Sequence, residues 1–483
     1  MAAAERVSAG PKAAALALHR FGFGPAAGQI EAIASDPRGA LLAELRRPSA
    51  GALSVALPSS AQAARAVFDF QAERRAEQKV ALRAQKDADA SGAMLANANQ
   101  DMTDLPKPGE PNARGPKPPP PPQQLLLDEA KARFGAASAA EIGFAERLVW
   151  FWSNHFCVSA DKIVGMTGPY EREAIRPHVL GRFAELLQAV ESHPAMLYYL
   201  DNVESMGPDS IAGINRDKGL NENLARETLE LHTLGVRSGY TQADVTNFAK
   251  VLTGWTWIPP GEPEHGGDFI FNKRLHEPGP QTVLEKTYAQ AGMDQGRAVL
   301  ADLARHPATA RHLAQKLASH FVADTPPPSL VEKLSRSFSD SDGDLKQVAA
   351  TLIEADESWT TQRQKLKTPA VWLASLLRVT ASQDLFPIGQ IMNAQAALGE
   401  PLWRPPAPNG FSDTEAALVD GVPRRLDIAN AFAARLAMVE PLALLQSSIG
   451  PLASEQTRDT VAHAESRRQA VALLAMSPEF LRS

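Results

Sequence analysis

The chain has 483 residues, of which 44% are hydrophobic and 22% are charged, a composition typical of a globular protein with ample length for a large core. Its 49 basic and 55 acidic residues give a net charge of −6, which excludes the basic balance expected of a protein that binds nucleic acid or an anionic membrane. Cys157 is the sole cysteine, which excludes an intrachain disulfide and a cysteine-based zinc cluster.

The N-terminus and the apolar runs predict neither a signal peptide nor a membrane span. The short apolar run at residues 13–18 is followed by His19 and Arg20 and lacks the ending of a cleaved signal peptide. No run of 18 apolar residues is present that could form a transmembrane helix. The default location that the sequence predicts is therefore the cytoplasm.

Apolar residues recur mostly with the helical period, and β-branched strand-like runs are nearly absent. We therefore predict a mostly α fold: a large multi-helix domain with Gly/Pro-rich loops and at most a minor β-hairpin. Residues 1–90 are predicted to hold the N-terminal helices. Of these, residues 12–47 form two helices joined by a glycine turn at residues 21–25, and residues 60–90 form one long charged helix. This helix is either a solvated arm or a helix that faces a partner.

A break in the helical pattern is predicted at residues 91–124, which include five consecutive prolines at 118–122. Such a run favours an extended, disordered or exposed linker or insertion. The main helical body is predicted at residues 125–483 and is expected to pack with residues 12–47 as one domain. Its predicted helices are 125–134, 139–157, 169–192, 194–201, 221–235, 241–254, 291–304, 307–322, 328–338, 343–355, 368–380, 388–398, 425–446 and 456–476. In the Gly/Pro-rich loop at residues 258–281, only residues 269–271 are predicted as a strand.

One carboxylate lies on the apolar side of the helix predicted at residues 221–235. At about 100° per residue, Leu224, Leu231 and Leu234 gather on one arc with Leu220, and Glu227 falls inside it. A lone buried carboxylate is costly, so it must be paired, metal-bound or protonated. The sequence thus predicts a special role for this acid.

Two interpretations of Glu227 follow from its neighbours. Glu230 lies three residues away along the same edge, so the two carboxylates could bind a divalent metal, or one could hold a proton for the other. The alternative is a structural carboxylate that pairs with a buried arginine, such as Arg147 or Arg172. The residues leave both interpretations open.

Three histidines complete the candidate site. His155 and His320 each lie on an apolar helical face, where a histidine is more often a satisfied core residue than a ligand. Beside a buried glutamate, however, histidines can form a metal or acid–base site. His276 lies in the loop after Trp257 and is a further metal candidate. The predicted catalytic residues are Glu227, Glu230, His155 and His320, and the candidate ligands of a divalent metal are Glu227, Glu230, His155 and His276.

Cys157 follows His155 and Phe156 closely, so it could be a nucleophile activated by the histidine. A small buried core residue is the alternative that its apolar neighbours favour, because no activating context is visible.

Several segments together resemble the bacterial family called domain of unknown function 1800. They are RFGFGP at 20–25, WFWSNHF at 150–156, NENLARETLELHTLGV at 221–236 with GYTQADV at 239–245 and LTGWT at 252–256, HEPG at 276–279, His306-Pro307, Lys316-Leu317, His320-Phe321-Val322, Lys367-Thr368-Pro369, Pro401-Leu402 and Pro405-Pro406. The resemblance implies a largely helical fold and no settled activity. It also implies a candidate partner, a protein similar to alkaline phosphatases and sulfatases. By the same resemblance, many members of the family look exported.

The chain departs from the family pattern in three places. His276-Glu277 stands where relatives tend to have His-Asp, and Gln281 stands where a lysine is usual. The segment Gly410-Phe411-Ser412-Asp413 replaces a Gly-Trp-Pro-Gly-Gly pattern. Any charged site at these positions is altered in this chain.

Two functions therefore fit the sequence. The first is a hydrolase-like enzyme that uses a buried Glu/His site. The second is a non-catalytic accessory or binding protein that acts with a partner protein, for which the alkaline phosphatase/sulfatase-like protein is the candidate.

Overall fold

The computed structural model describes the backbone of residues 8–48, 50–53, 55–95, 118–214, 216, 219–436 and 438–483, and the side chains of all of these except residues 88–95.

Helices account for most of the described chain, which confirms the predicted mostly α fold. Many begin with a proline in the first turn, where its missing N–H is not needed, or with a side chain that caps free backbone N–H groups. The helices of the first half are α1 (Pro11–Arg20), α2 (Gln29–Ile33), α3 (Pro37–Leu45), α4 (Ser60–Leu95), α5 (Pro121–Ala139), α6 (Phe144–His155), α7 (Thr167–Tyr170), α8 (Phe183–Glu191), α9 (Pro194–Tyr199), α10 (Asn223–Glu227) and α11 (Gln242–Leu252).

The second half continues the same pattern of short helices. They are α12 (Met293–Arg305), α13 (Pro307–Phe321), α14 (Pro328–Asp340), α15 (Leu345–Glu354), α16 (Pro369–Val379), α17 (Ile388–Ala397), α18 (Glu415–Leu418), α19 (Val422–Ala433), α20 (Pro441–Ser448), α21 (Glu455–Ala462), α22 (Arg467–Ala475) and α23 (Pro478–Leu481). Single 3₁₀ turns lie at Arg176–His178, Asn202–Glu204, Asp356–Trp359, Gln383–Leu385, Val419–Gly421 and Gly450–Leu452, and π-helical turns lie at Glu171–Ile175 and Thr228–His232.

Two small antiparallel sheets lie between α11 and α12. Strand β1 (Trp255–Trp257) pairs with β2 (Phe269–Phe271), the segment predicted as a strand, with Thr256 opposite Ile270. Strand β3 (Gln281–Val283) pairs with β4 (Lys286–Tyr288). In the described part of the chain, no helix is both long and apolar enough to cross a membrane.

Several helices that were predicted as continuous are divided in the structure, either at a proline or at a serine that caps a new helix. The helix predicted at residues 169–192 is broken after the π turn, where Pro177 lacks the N–H that would continue it. In the same way Pro441 begins a new helix, so residues 425–446 form α19 and α20. Ser466 caps a new helix too, so residues 456–476 form α21 and α22.

The N-terminal region also differs from the prediction. Residues 12–47 form three helices, not two, although the turn at residues 21–25 follows α1 as expected. Most of the predicted proline-rich linker, at residues 96–117, lies outside the described residues. At its edges, residues 91–95 belong to α4 and Pro121 begins α5, because proline is well tolerated in a first helical turn.

One hydrophobic core joins residues from α1 to α23. The side chain of Glu44, on α3, accepts hydrogen bonds from the backbone N–H groups of Ile142 (3.0 Å), Gly143 (3.0 Å) and Ala145 (2.9 Å). These N–H groups lie at the start of α6, where no helical carbonyl can accept them. Glu44 thereby fixes α6, which carries several of the candidate residues, against the N-terminal helices.

Candidate functional site

Helix α13 carries a row of titratable side chains. His312, Lys316 and His320 are spaced four residues apart, so they lie along one face, while Leu313, Leu317 and Phe321 are buried in the core. The row faces the end of α6, the π turn at Thr228–His232 and the segment around Asp413. These three elements bring the rest of the site together.

The π turn changes the predicted arc of leucines at one position: Leu224 and Leu234 are buried as expected, whereas Leu231 is not. A π turn closes over five residues instead of four, and here Leu234 N–H donates to the Leu229 carbonyl (3.0 Å). The hydroxyl of Thr233 donates to the Thr228 carbonyl (2.6 Å) and satisfies it. The extra residue turns His232 into the core, where it is 1% exposed, and leaves Leu231 half-buried.

His232 is held by a buried carboxylate. Its Nδ1 lies 2.7 Å from Glu191 Oε1, and both side chains are almost fully buried. Because a carboxylate accepts hydrogen bonds, Nδ1 carries the proton. The second carboxylate oxygen of Glu191, Oε2, has no partner among the described residues. Glu191 thus fixes the orientation of the imidazole.

His155 lies beside this pair and donates its Nε2–H to the carbonyl oxygen of His232 (3.2 Å). His312 donates its Nε2–H to the carbonyl oxygen of Leu231 (3.1 Å), and the His155 and His312 rings are 6.1 Å apart. Burial lowers the pKa of both, that of His312 to about 4, and the nearby Lys316 charge lowers them further. Both imidazoles are therefore neutral at pH 7.

The carboxylate of Glu227 is half-buried, and no hydrogen bond or ion pair from a described residue reaches it. Burial raises its pKa, and the charge of Glu230 adds to the shift, while His232 opposes it. The arginines considered as structural partners lie elsewhere: Arg147 donates to the Gly22 carbonyl (2.8 Å) and Arg172 pairs with Glu129 (2.8 Å).

Glu230 differs from Glu227 because it has local partners. Arg226 Nη1 lies 3.7 Å from its carboxylate, and the Tyr240 hydroxyl hydrogen-bonds to it. His276 is also held locally, with Nδ1–H donating to the Thr253 carbonyl (2.9 Å). Its ring packs against Phe271, and within the described ranges it forms no hydrogen bond, ion pair or ring contact with Glu227, Glu230 or His155.

Lys316 lies on α13 between His312, at one end of the row, and His320, at the other. Its ammonium has no ion pair or hydrogen bond from a described residue, and burial lowers its pKa to about 8, against the opposing effects of Cys157 and Asp413. Cys157 donates its thiol hydrogen to the Pro408 carbonyl (3.2 Å), and burial raises its pKa to about 12. Such a thiol is a poor nucleophile at neutral pH, which favours the core interpretation of Cys157.

His320 forms a second carboxylate–histidine pair. Its Nδ1–H donates to Asp413 Oδ2 (2.6 Å), and its Nε2 faces Arg147 Nη2 at 3.4 Å. The other carboxylate oxygen of Asp413 accepts from Lys365 Nζ (3.2 Å). Burial lowers the pKa of His320, whereas the His320 and Lys365 contacts hold the pKa of Asp413 far below its ordinary value despite burial.

Asn154 positions the segment that carries Asp413. Its side-chain amide donates to the Phe411 carbonyl (2.9 Å) and its carbonyl accepts the Phe411 N–H (2.8 Å). Gly410 has φ +78°, and a Cβ there would lie 2.5 Å from the Asn154 carbonyl oxygen, so only glycine fits so close an approach.

The pair of His320 and Asp413 lies on the wall of a cavity of about 260 Å³. Glu400 lines the same cavity and accepts the Ala370 N–H (3.0 Å). Burial raises the pKa of Glu400 to about 7, against the lowering effects of that N–H and of Arg133. One cavity thus holds a carboxyl group with a raised pKa and a neutral histidine, a pairing found at acid–base sites.

Two further findings concern the possibility of a metal site and the choice between two cavities. Within the described ranges, no group of three or more histidine, cysteine, aspartate or glutamate side chains has an arrangement that could hold a metal ion. A larger groove of about 1130 Å³, between the end of α3, the described residues that follow it, α5 and α17, has no histidine in its described lining, whereas the smaller cavity has His320. The smaller cavity is therefore the better candidate for chemistry.

The structure brings together some of the predicted residues and adds others. His155 approaches His232 and His312, and His320 lies farther along the same face of α13, whereas Glu230 and His276 are held by local partners. The prediction missed Glu191, Glu400, Asp413 and Lys316. The spacing of His312, Lys316 and His320 was a usable signal, but nothing in the sequence marks Glu191 or Glu400.

Comparison with known proteins gives one family. A family profile described as "Protein of unknown function (DUF1800)" matches residues 16–482. No curated protein and no solved structure matches the chain.

Proposed function

Because the chain belongs to the DUF1800 family of proteins of unknown function, we propose its activity from the cavity itself: it is a hydrolase that works by general acid–base catalysis. In this proposal His320, oriented by Asp413, is the base and Glu400 is the acid. The observation that carries the proposal is the 2.6 Å contact between His320 Nδ1 and Asp413 Oδ2 on the cavity wall.

The base is suited to accept a proton from water. Asp413 takes the Nδ1–H, so the lone pair is on Nε2, where the guanidinium of Arg147 faces it at 3.4 Å, and burial keeps the ring neutral. A water molecule that replaces Arg147 at Nε2 can give its proton to this lone pair. When Nε2 accepts a proton, the Asp413 carboxylate stabilises the imidazolium that forms. A positioned base of this kind contributes about 10²–10⁴ in rate.

The acid is suited to protonate a leaving oxygen. With a pKa of about 7, Glu400 keeps its proton in a substantial fraction of molecules near neutral pH. Its environment and that of Asp413 move the pKa values of the two carboxyl groups in opposite directions, so one can donate a proton while the other stays ionised.

Glu227 keeps a part in the proposal as a carboxyl group outside the cavity lining whose pKa is raised by burial. No described residue pairs with its carboxyl group, so Glu227 is suited to contact a part of the substrate that extends beyond the cavity on the side of Cys157, which lines it. Glu230, His155 and His276 have no proposed part in bond cleavage, because none of them lines the cavity.

The proposal is tested with a panel of nitrophenyl esters, phosphates, sulfates and glycosides. We expect hydrolysis of at least one class, and a loss of about 10²-fold or more in kcat/KM for His320→Gln. Glu230→Gln is the matched control, because its carboxylate is outside the cavity, and it should keep the wild-type rate. Hydrolysis by His320→Gln at the wild-type rate, or no hydrolysis of any class, would refute the proposal.

A second candidate function is an accessory protein, and the long helix α4 favours it. Every side chain from residue 71 to residue 87 is exposed, so this part of the helix presents a long surface that the described chain does not bury. In this alternative it binds the phosphatase- or sulfatase-like partner that the family resemblance implies. A variant lacking residues 71–87, mixed with such a purified partner, should lose co-elution in gel filtration, and retained co-elution would argue against this function.

A further inference from the structure

The cavity beside His320 has the size of a single six-membered ring with substituents. Its volume is about 260 Å³, whereas a cavity of roughly 150 Å³ is enough for an unsubstituted benzene ring. A ligand of this size has room for hydroxyl groups around one ring but not for a second ring.

One wall of the cavity is aromatic. Trp150 and Trp403 both line it, and the guanidinium of Arg133 lies over both rings, 4.6 Å and 5.6 Å from their centroids. Trp403 has φ +51°, a left-handed conformation that is unusual for a bulky residue. Strained backbone of this kind is found where a side chain has to be held in one place, often at ligand sites.

The cavity also contains an unused hydrogen-bond acceptor. Gln395, on α17, lines the cavity and is 2% exposed, and its Oε1 has no hydrogen-bond partner among the described residues. A buried polar atom normally has a partner, so an acceptor left open in a cavity is suited to a hydroxyl or N–H group of a ligand. The carboxyl group of Glu400 lies in the same lining.

The charges around the cavity nearly cancel. Arg133 is in direct contact with Glu171, and Lys365 is in contact with Asp413. Arg147 and the carboxyl group of Glu400 both lie in the lining. A site for an anionic group would need an excess of positive charge, which these pairs remove. An uncharged ligand with an apolar face and a polar edge fits these walls.

We propose that this cavity binds one saccharide ring, which packs its C–H face against Trp403 and donates a hydroxyl hydrogen to Gln395 Oε1. This inference rests on the proposed function and gives its substrate class, a glycoside. In the reaction, the oxygen of a water molecule bonds to the anomeric carbon while the glycosidic C–O bond breaks. His320 takes a proton from the water, and Glu400 gives its proton to the leaving oxygen.

Binding is tested on the full chain by tryptophan fluorescence and ligand-observed NMR. The probes are methyl β-glucoside, methyl β-galactoside and N-acetylglucosamine, compared with N-acetylalanine methylamide and inorganic phosphate. We expect saturable binding of at least one saccharide, weakened about tenfold in Gln395→Met because one hydrogen bond is lost. Gln390→Met is the matched control, because Gln390 lies on the same helix outside the cavity, and it should bind as the wild type does.

The outcomes separate this inference from the proposed function. Saccharide binding that persists in His320→Gln, with hydrolysis lost, supports both. No saturable saccharide binding by the wild type, equal binding by Gln395→Met, or binding of only the peptide amide or phosphate overturns the inference. Saccharide binding without hydrolysis of any substrate in the nitrophenyl panel overturns the proposed enzyme and keeps the binding site. If Gln395→Met does not fold, Trp403→Phe should weaken saccharide binding, and unchanged binding there contradicts the inference.

Discussion

At the scale of single residues, the structure separates two roles of buried charge. Arg176 pairs with both Glu146 (2.7 Å) and Glu171 (2.9 Å) deep in the protein, and each charge there is neutralised by a neighbour. No described residue forms such a pair with Glu227. A charge without a partner in a half-buried place contributes nothing to stability by pairing, so its role has to be argued from chemistry.

Glu227→Gln should therefore leave the protein as stable as the wild type or slightly more stable, by up to about 1 kcal/mol at pH 8. The folded state raises the pKa of Glu227 above 4.5, so the ionised form that prevails at higher pH disfavours folding. The gain should shrink as the pH falls towards 4.5. Urea unfolding at several pH values measures it. A loss of roughly 3–5 kcal/mol would instead show that Glu227 belongs to a buried ion pair.

Glu400 should set the alkaline side of the activity profile. Because its pKa is about 7, hydrolysis should fall as the pH rises through 7 and the acid loses its proton. On the acidic side, the rate of hydrolysis should fall only below pH 6.5, because burial lowers the pKa of His320. Rates measured from pH 4.5 to 9 test this. Glu400→Gln should be slow at every pH and lack the fall near 7, whereas an unchanged profile would exclude Glu400 as the acid.

The sequence predicted His155 and His320 as residues of apolar faces, and both face the row on α13 or belong to it. It could not predict their partners. His320 pairs with Asp413, 93 residues later, and His232 pairs with Glu191, 41 residues earlier. Contacts over such separations depend on how helices pack, and a helical period in one segment carries no information about them.

At the scale of elements, the π turn and the start of α6 position the site. The sequence predicted a helix at residues 221–235, but the π turn cannot be read from an apolar period because it changes that period locally. The start of α6 depends on Glu44, which lies on a different helix and satisfies three N–H groups. The π turn and the start of α6 therefore both depend on the folded structure and not on the local sequence pattern.

Glu44→Ala should destabilise the protein by about 3 kcal/mol or more, because three buried N–H groups lose their acceptor and each costs roughly 1–3 kcal/mol. Thermal or urea unfolding measures the loss. Glu31→Ala, which removes an exposed carboxylate from neighbouring α2, is the control and should change the free energy of unfolding by less than about 0.5 kcal/mol. Equal stability of the two variants would contradict this account of how α6 is fixed.

At the scale of the whole molecule, buried neutral histidines make the fold sensitive to acid. Burial lowers the pKa of His19, His155, His312 and His320 in the folded protein. In the unfolded chain these groups take up protons below about pH 6.5. Stability is therefore complete above pH 6.5 and is lost as the pH falls towards the lowered folded values, by about 1.4 kcal/mol per pH unit for each histidine.

The melting temperature should accordingly fall steeply between pH 6.5 and 5. His312→Gln removes one of the four groups while its side-chain amide can still donate to the Leu231 carbonyl, so its decline should be shallower than that of the wild type. Parallel declines for the two proteins would show that His312 is not held neutral by the fold.

The central claim is that His320 and Asp413 act as one base, and a double-mutant cycle on the best substrate of the hydrolase panel tests it most directly. Groups that act as a unit lose their effect together. The account predicts that His320→Gln lowers kcat/KM by about 10²-fold or more, and that adding Asp413→Asn to it causes no further loss. Losses that multiply in the double variant, or a His320→Gln enzyme with the wild-type rate, would contradict it.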